Sequence, residues 1–265
     1  MLEYVTLTIA GSAVRVPRGT PILEAAALYG ICIPHLCYLP TMAAFGACRL
    51  CLVEATLDGR TRVVASCAYP VRDGLVVETE TERIQRLRRN LLELYLAQAP
   101  GSEVIRELAA RYGVATTRYV SREPNEQCIL CGLCERVCRE LVGKAGISFA
   151  YRGIHRTVTP PFDEDLTDCL GCGACAFVCP TGAIIQRCVG DTVEIDRWRA
   201  RVPMARCTVC GEPFAAAAGL EQAAAKLGVP LEQLALCPRC RREEHSQALH
   251  KSAVAQSSTR KLFIR

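Results

Sequence analysis

Two runs of four cysteines share one spacing, C-x2-C-x2-C-x3-C. The runs are Cys128, Cys131, Cys134 and Cys138, and Cys169, Cys172, Cys175 and Cys179. Three thiolates on one tight turn can reach three metals of a single cluster. The fourth cysteine lies at the start of a following helix and points away from the other three. Each run is therefore expected to supply three ligands to one metal cluster and one ligand to a neighbouring cluster.

This spacing is the two-cluster pattern of bacterial ferredoxins. It predicts two [4Fe–4S] clusters whose ligands are exchanged between the runs. The first cluster takes Cys128, Cys131, Cys134 and Cys179, and the second takes Cys169, Cys172, Cys175 and Cys138. The alternative is a disulfide framework. Such frameworks belong to small secreted chains, and nothing in this sequence indicates secretion.

Composition supports metal binding in a reducing compartment. The chain has 265 residues, of which 18 are cysteine. Its first residues lack the basic and apolar regions of a signal peptide. No apolar run approaches the roughly 18 residues that a membrane span needs. We therefore expect a cytoplasmic protein without a membrane span, whose cysteines bind metal rather than form disulfides.

The charge distribution argues against a nucleic-acid-binding body. The formal net charge is +5 at pH 7. The excess of Lys and Arg lies from Arg239 onward, so the rest of the chain is close to neutral. A nucleic-acid-binding domain is expected to carry a basic face instead.

The N-terminal region predicts a β-rich domain. Alternation and β-branched residues predict strands over 2–9, 13–16, 52–56, 61–66 and 75–79. Thr20 as N-cap and Pro21 at the first helical position predict a helix that runs to Tyr29 and stops at Gly30. Four candidate ligands lie among these elements: Cys37, Cys48, Cys51 and Cys67.

This layout of hairpin, helix and four cysteines resembles a plant-type [2Fe–2S] ferredoxin, with a first gap of ten residues where that type has four. The C-x10-C-x2-C spacing and Pro34-His35-Leu36-Cys37 resemble the large iron–sulfur subunit of complex I at its N-terminus. They also resemble the diaphorase iron–sulfur subunit of NAD-reducing [NiFe] hydrogenases, and the front ends of [FeFe] hydrogenases and NAD-dependent formate dehydrogenases. The resemblance implies a β-grasp domain that binds one [2Fe–2S] cluster. A zinc site on the same four cysteines is the alternative.

Residues 81–119 predict a helical linker. A helix over 81–99 has an apolar stripe, with its arginines mostly elsewhere. The stripe comprises Ile84, Leu87, Leu91, Leu94 and Tyr95, and the arginines are Arg86, Arg88 and Arg89. Ser102 caps a second helix that ends at Gly113.

The same region departs from the families named above. Most of their members carry a further [4Fe–4S] site of one His and three Cys here. Between Cys67 and Cys128 this chain has neither Cys nor His, so that cluster must be absent. Either electrons take another path to the [4Fe–4S] clusters, or the [2Fe–2S] domain is a side branch.

Two C-terminal knuckles, C-x2-C-G and C-P-x-C, form a last cysteine set. It comprises Cys207, Cys210, Cys237 and Cys240. Two such turns make a tetrahedral four-sulfur site for Zn²⁺ or a single iron, and a further iron–sulfur cluster is the third possibility. An Ala-rich helix over Leu220–Leu227 lies between the knuckles. With Glu212-Pro213-Phe214, this end resembles the ferredoxin-type subunit of formate hydrogenlyase complexes over residues 125–242.

Three further residues are expected to have structural roles. Cys32 is predicted to pack as a small apolar residue, Cys188 to be a buried thiol, and the ring of His35 to be satisfied by backbone.

The sequence thus predicts an α+β chain of five segments. These are a [2Fe–2S] ferredoxin-like domain (1–80), a helical linker (81–119), a two-[4Fe–4S] ferredoxin domain (120–200), a zinc-ribbon or rubredoxin-like module (201–242) and a basic tail (243–265). The tail either frays or docks on a partner subunit.

We recognise no catalytic nucleophile, acid–base pair, phosphate loop or dinucleotide motif. The expected role is one-electron transfer within a hydrogenase or formate dehydrogenase complex. The partners that the resemblance implies are a flavin/NAD-binding subunit and a catalytic metallosubunit. The alternatives are an independent multicluster ferredoxin and a redox-sensing scaffold protein.

Overall fold

The computed structural model describes residues 3–260, with side chains described through residue 250. The chain forms two compact units. One comprises Met1–Val158 and Ala174–Ile184, and the other comprises Thr159–Gly173 and Ile185–Arg265. Within the part of the chain that is described, no helix is both long enough and apolar enough to cross a bilayer.

The first unit begins with a five-stranded mixed sheet. Its strands are β1 Tyr4–Ile9, β2 Ser12–Pro17, β3 Leu52–Leu57, β4 Arg60–Ala65 and β5 Val76–Glu78. They lie in the order β2-β1-β5-β3-β4, with β1 parallel to β5 and the other neighbours antiparallel. Successive side chains of a strand point to opposite faces, so Val5, Leu7 and Ile9 enter the core together. All five strands lie where the alternating pattern predicts them, although Leu2 falls outside the described residues.

Helix α1, Ile22–Leu28, packs its buried side chains against this sheet. The predicted cap is wrong. Pro21 occupies the N-cap position in extended conformation, and the Thr20 hydroxyl instead donates to the carbonyl of Pro17 at 2.8 Å. Thr20 is therefore engaged in the preceding turn, and the helix begins one residue later than predicted.

Two helices follow the sheet. Helix α2, Glu82–Gln98, is capped by Thr81, and helix α3, Glu103–Arg111, is capped by Ser102. Each cap hydroxyl accepts a hydrogen bond at 3.3 Å from the backbone N–H three residues on, as expected at a helix start. Both helices lie within two residues of their predicted bounds.

The predicted apolar stripe of α2 is partly wrong. The buried row advances by four residues and consists of Ile84, Arg88, Leu92 and Leu96. Leu94 is 46% exposed. Side chains four residues apart lie one above the other on a helix. Arg88 is in phase with Ile84 and Leu92, so it enters the core despite its charge.

The remainder of the first unit is built from short elements. Helix α4, Leu133–Arg136, runs directly into a π-helical turn, Val137–Val142. Strands β6 Ser148–Ala150 and β7 Thr157–Thr159 pair in a two-stranded sheet. Helix α5, Ala174–Phe177, packs against both α4 and the π-helical turn.

The second unit contains a four-stranded antiparallel sheet that was not predicted from the sequence. Its strands are β8 Gln186–Val189, β9 Thr192–Ile195, β10 Ala200–Arg206 and β11 Pro213–Ala216. Their order is β11-β10-β9-β8. All of β8 is exposed, and β10 contains Pro203, a residue that argues against a strand in sequence analysis although the strand continues through it.

Two helices complete the second unit. Helix α6, Ala217–Leu227, confirms the predicted Ala-rich helix, and helix α7 spans Pro238–Arg260. The apolar C-terminal residues Leu262, Phe263 and Ile264 lie outside the described residues.

Two of the three structural roles predicted for single residues are wrong. Cys32 and Cys188 are exposed rather than packed. Cys188 lies on the fully exposed strand β8, which explains the difference. His35 is satisfied by backbone as predicted, because its Nδ1 lies 2.9 Å from the carbonyl oxygen of Ile33.

The buried row of α2 yields a first prediction. Leu92 is 0% exposed, so Leu92→Ala leaves a cavity and is expected to destabilise the chain by about 2–5 kcal/mol. Leu94→Ala on the exposed face is expected to change stability by less than about 0.5 kcal/mol. Thermal unfolding followed by circular dichroism without oxygen measures both. Equal shifts in melting temperature would contradict the burial pattern.

A second prediction concerns Gly171. Its φ is +63°, and an added Cβ would lie 2.7 Å from the Cβ of Ala216 and 3.1 Å from that of Val202. Gly171→Ala is expected to combine a left-handed backbone cost of about 1–2 kcal/mol with an overpacking cost of about 1–3 kcal/mol. Gly190 has a similar φ of +57° with open space around it, so Gly190→Ala should carry only the backbone cost. The difference in melting temperature between the two variants measures the overpacking.

Candidate metal centres

Four cysteines of the first unit lie in its interior. They are Cys37, Cys48, Cys51 and Cys67, each at most 2% exposed. Cys37 and Cys48 lie on the loop between α1 and β3, Cys51 immediately precedes β3, and Cys67 follows β4. The β3–β4 pairing places Leu52 opposite Ala65, and Ser66 donates its N–H to the carbonyl of Cys51 at 3.0 Å. The hairpin therefore brings Cys51 and Cys67 together at its open end.

The four thiols interact in two pairs. The backbone N–H of Cys48 donates to Sγ of Cys37 at 3.3 Å. The hydrogen bond between these thiols lowers the pKa of Cys48 to about 6 and raises the pKa of Cys37. The bond from Cys67 likewise lowers the pKa of Cys51 to about 6. Each pair therefore favours one thiolate, the form that binds metal.

The surroundings of these cysteines fit an iron–sulfur cluster. The donor set is entirely sulfur, which suits iron–sulfur clusters and zinc. The fully buried Ser66 lies beside this site, and its side chain helps to lower the pKa of Cys51. It therefore supports the thiolate form that a cluster requires.

The first cysteine run forms a second buried site in the same unit. Cys131 and Cys134 are buried, whereas Cys128 and Cys179 are partly exposed. Burial raises the pKa of Cys131 to about 12, and the neighbouring Cys128 adds to the rise. Burial is also the main reason that the pKa of Cys134 is raised, and the neighbouring thiols of Cys131, Cys128 and Cys179 raise it further. The assignment of these four cysteines to one cluster remains a prediction from their spacing.

The turn around this site has the expected backbone geometry. Leu130 and Gly132 both adopt positive φ, at 56° and 78°. The N–H of Leu130 consequently donates to Sγ of Cys128 at 3.4 Å.

The other predicted [4Fe–4S] ligands are divided between the units. Cys138 lies in the π-helical turn and Cys175 in α5, two elements of the first unit that pack together. Cys169 and Cys172 lie on a loop of the second unit. There the N–H of Gly171 donates to Sγ of Cys169 at 3.4 Å, and Cys169 packs against the core of the β8–β11 sheet. This ligand set remains a prediction from spacing.

The C-terminal cysteines form a compact four-sulfur site. Cys207 follows β10, Cys210 lies in the next turn, and Cys237 and Cys240 lie at the start of α7. All four Sγ atoms lie within 4.8 Å of one another. Cys237 donates its N–H to Sγ of Cys207 at 3.3 Å, and Cys240 donates its N–H to Sγ of Cys237 at 3.4 Å. The donation from Cys237 lowers the pKa of Cys207 to about 6, as expected for a ligand thiolate.

Helix α2 connects the two buried sites of the first unit. The hydroxyl of Tyr95 donates to the carbonyl of Cys48 at 2.9 Å. Three residues further on, Nε2 of Gln98 donates to the carbonyl of Cys128 at 3.2 Å. Residues three apart face the same way on a helix, so one face of α2 binds a ligand loop from each site. Cys37, Cys48 and Cys131 belong to one hydrophobic core together with Leu92 and Leu96 of α2.

A second connection runs through Arg136, which is 5% exposed. Its Nη2 donates to the carbonyl of Ala43 at 2.7 Å, on the loop between Cys37 and Cys48. Its guanidinium also lies 5.3 Å from the ring centroid of Phe45. Cys134 and Cys138 flank this arginine, so the ligand helix of one site holds the ligand loop of the other.

Four residues that support the cysteines were not predicted from the sequence in these roles: Arg88, Tyr95, Gln98 and Arg136. A signal was available for Arg88, because it continues the i+4 row of Ile84 and Leu92. Tyr95 and Gln98 make long-range contacts to loops, and nothing in local sequence marks such partners.

Comparison with known proteins matches two family descriptions to this chain. The 2Fe-2S iron-sulfur cluster binding domain matches residues 3–82, and the 4Fe-4S dicluster domain matches residues 127–183. The predicted α+β class is confirmed, with these two domains in this order and a four-cysteine site near the C-terminus. Both kinds of cluster predicted from cysteine spacing are thereby supported.

Similar proteins occur among the subunits of hydrogenases and NADH oxidoreductases. NADP-reducing hydrogenase subunit HndD of Solidesulfovibrio fructosivorans is 34% identical over 70% of this chain and 36% of that protein. A subunit of the NADH-quinone oxidoreductase of Rhizobium meliloti is 31% identical over 69% of this chain and 24% of that protein. The chain thus spans only about a quarter to a third of these curated relatives.

A solved structure is matched over a larger share of its own chain. A chain of NAD+-reducing [NiFe]-hydrogenase, crystallised in the H2-reduced state, is 34% identical with a TM-score of 0.52. The match covers 59% of this chain and 75% of that chain.

The C-terminal site provides a third prediction. Cys207→Ser is expected to lower the metal content of the purified chain by one zinc or one iron atom, because a four-sulfur site loses one of its ligands. Elemental analysis of protein purified without oxygen measures the loss. Cys188→Ser alters an exposed cysteine of the same unit and should leave the metal content unchanged. An unchanged metal content in Cys207→Ser would contradict a metal at this site.

Proposed function

The chain belongs to the family of iron–sulfur proteins represented by a chain of the NAD+-reducing [NiFe]-hydrogenase. On that premise we propose that it is an electron-transfer subunit of a multisubunit hydrogenase or a related oxidoreductase. Each bound cluster would accept and release one electron at a time, at a potential set by cluster type, hydrogen bonds and exposure.

One observation carries the proposal. The Cys48 and Cys131 loops of two different sites share one buried hydrophobic core. Between them lies α2, from a region with no Cys or His. The helix lies in the stretch where the resemblance to complex I and hydrogenase subunits would place a further cluster. Tyr95 and Gln98 fix the two ligand loops to the same helix, which supports a short route between the sites without an intermediate metal.

The proposed ligands follow the spacing and the observed placement. Cys37, Cys48, Cys51 and Cys67 would hold a [2Fe–2S] cluster. The first [4Fe–4S] cluster would be held by Cys128, Cys131, Cys134 and Cys179. The pattern of the two runs assigns the second [4Fe–4S] cluster to Cys169, Cys172, Cys175 and Cys138.

We propose zinc for the C-terminal four-cysteine site, with a single iron as the alternative. Two backbone N–H groups donate to its sulfurs. Four protein ligands complete a tetrahedral site and leave no open coordination position. A closed four-sulfur site is typical of structural zinc. Its position outside both matched domains supports a structural role rather than a place in the electron route.

The proposed partners are a flavin/NAD-binding subunit and a catalytic metallosubunit in the cytoplasm. The names of the relatives, a hydrogenase and a quinone oxidoreductase, support this class of complex. A formate dehydrogenase complex and an independent multicluster ferredoxin are the competing possibilities.

A fourth prediction tests the proposal. The native complex, purified without oxygen through a tag on this chain, should contain about ten iron atoms from this subunit: two from the [2Fe–2S] cluster and four from each [4Fe–4S] cluster. One zinc or one further iron should accompany them. Nickel in the complex would identify a hydrogenase, and molybdenum or tungsten a formate dehydrogenase. Recovery of the chain alone, loaded with iron and without such a metal, would instead favour the independent ferredoxin.

A further inference from the structure

Arg88 of α2 is a fully buried cation beside the Cys37, Cys48, Cys51 and Cys67 site. Its side chain is 0% exposed. Nε donates to the carbonyl of Leu50 at 3.1 Å, and Nη2 donates to the carbonyl of Leu52 at 2.9 Å. These carbonyls flank Cys51 on both sides. One planar guanidinium therefore fixes the backbone of a single cysteine.

The remaining contacts of Arg88 leave its charge only partly compensated. Nη1 donates to a carboxylate oxygen of Glu80 and lies 3.2 Å from the hydroxyl of Tyr112. The Glu80 side chain is 49% exposed. A half-exposed carboxylate is screened by water, so it offsets a buried positive charge incompletely.

Burying a charge is costly unless the group is paired and hydrogen-bonded. A Leu or Met at this point of the buried row would pack without that cost. Lysine would lack the rigid fork that can bind two carbonyls at once. The use of arginine here thus indicates a role beyond packing.

We propose that Arg88 is a positioning residue that holds Cys51 in place and raises the reduction potential of the site it belongs to. The inference deepens the proposed function and rests on it, because it assumes a [2Fe–2S] cluster at this site. Adding an electron makes the site more negative, and a nearby cation in a medium of low dielectric stabilises that state.

The test is a potentiometric titration of the full chain, purified without oxygen and followed by the electron paramagnetic resonance signal of the reduced [2Fe–2S] cluster. Arg88→Met should lower the midpoint potential, because the cation is lost and the Glu80 carboxylate remains. Glu80→Gln should raise it, because the carboxylate is lost and the cation remains. These opposite signs distinguish an electrostatic role from a general loss of stability.

Two further variants complete the design. Arg88→Lys retains the charge but not the two-carbonyl contact, so its potential should stay closer to the wild-type value than that of Arg88→Met, while its spectrum changes shape. Arg86→Met removes an exposed arginine of the same helix. Residues two apart do not share a helix face, so this control should match the wild type in both potential and spectrum.

The outcomes separate this inference from the proposed function. A wild-type chain without a [2Fe–2S] signal overturns the function and the inference together. A normal wild-type signal with unchanged potentials in Glu80→Gln and Arg88→Met overturns the inference alone. If Arg88→Met does not fold, Glu80→Gln decides, since it alters an exposed partner: a raised potential supports the inference, and an unchanged or lowered one overturns it.

Discussion

The structure of the first unit depends on one constraint: reactive thiols are buried on loops whose backbone must be held in place by other elements. Four cysteines are almost fully enclosed, and the loops that carry them contain few regular hydrogen bonds of their own. Helix α2 supplies what the loops lack. Arg88 and Tyr95 hold carbonyls around Cys51 and Cys48, and Gln98 holds the carbonyl of Cys128. The helix therefore contributes polar contacts to the ligand loops on the same face that packs into the apolar core.

In the second unit, too, a regular element supports a loop that carries cysteines. The loop that carries Cys169 is supported by the β8–β11 sheet: Gln186 of β8 donates to the carbonyl of Gly171 at 3.0 Å, and Val202 and Ala216 close around that glycine. The four-sulfur site lies between the end of this sheet and the start of α7. A metal bound there would fasten the sheet to the helix, because a structural site contributes directly to folding.

The two domains that match known families cover only part of this chain, and the remaining regions have their own structure. Both matched domains end by residue 183, and the sheet, the four-sulfur site and α7 all follow. Between the matched domains lie two packed helices, α2 and α3, in a stretch that contains neither Cys nor His. Both regions surround the cysteines of the matched domains with elements that those two domain descriptions do not cover.

The sequence by itself determined the ligand chemistry, the order of the two domains and most of the first sheet. Cysteine spacing is a local property, since ligands on one turn must be near in sequence, and alternation along a strand is local as well. Only the tertiary structure decided which side chains support the ligands. The i+4 row places Arg88 in phase with Ile84 and Leu92, but it does not identify the groups that surround the charge. Those groups are distant in sequence, since 38 residues separate Arg88 from Leu50. The exposure of Cys188 follows from the exposed strand β8, part of a sheet that was not predicted. Burying the charge of Arg88 is tolerated only because carbonyl and carboxylate groups from distant parts of the chain form hydrogen bonds with it. A local sequence pattern does not predict such partners.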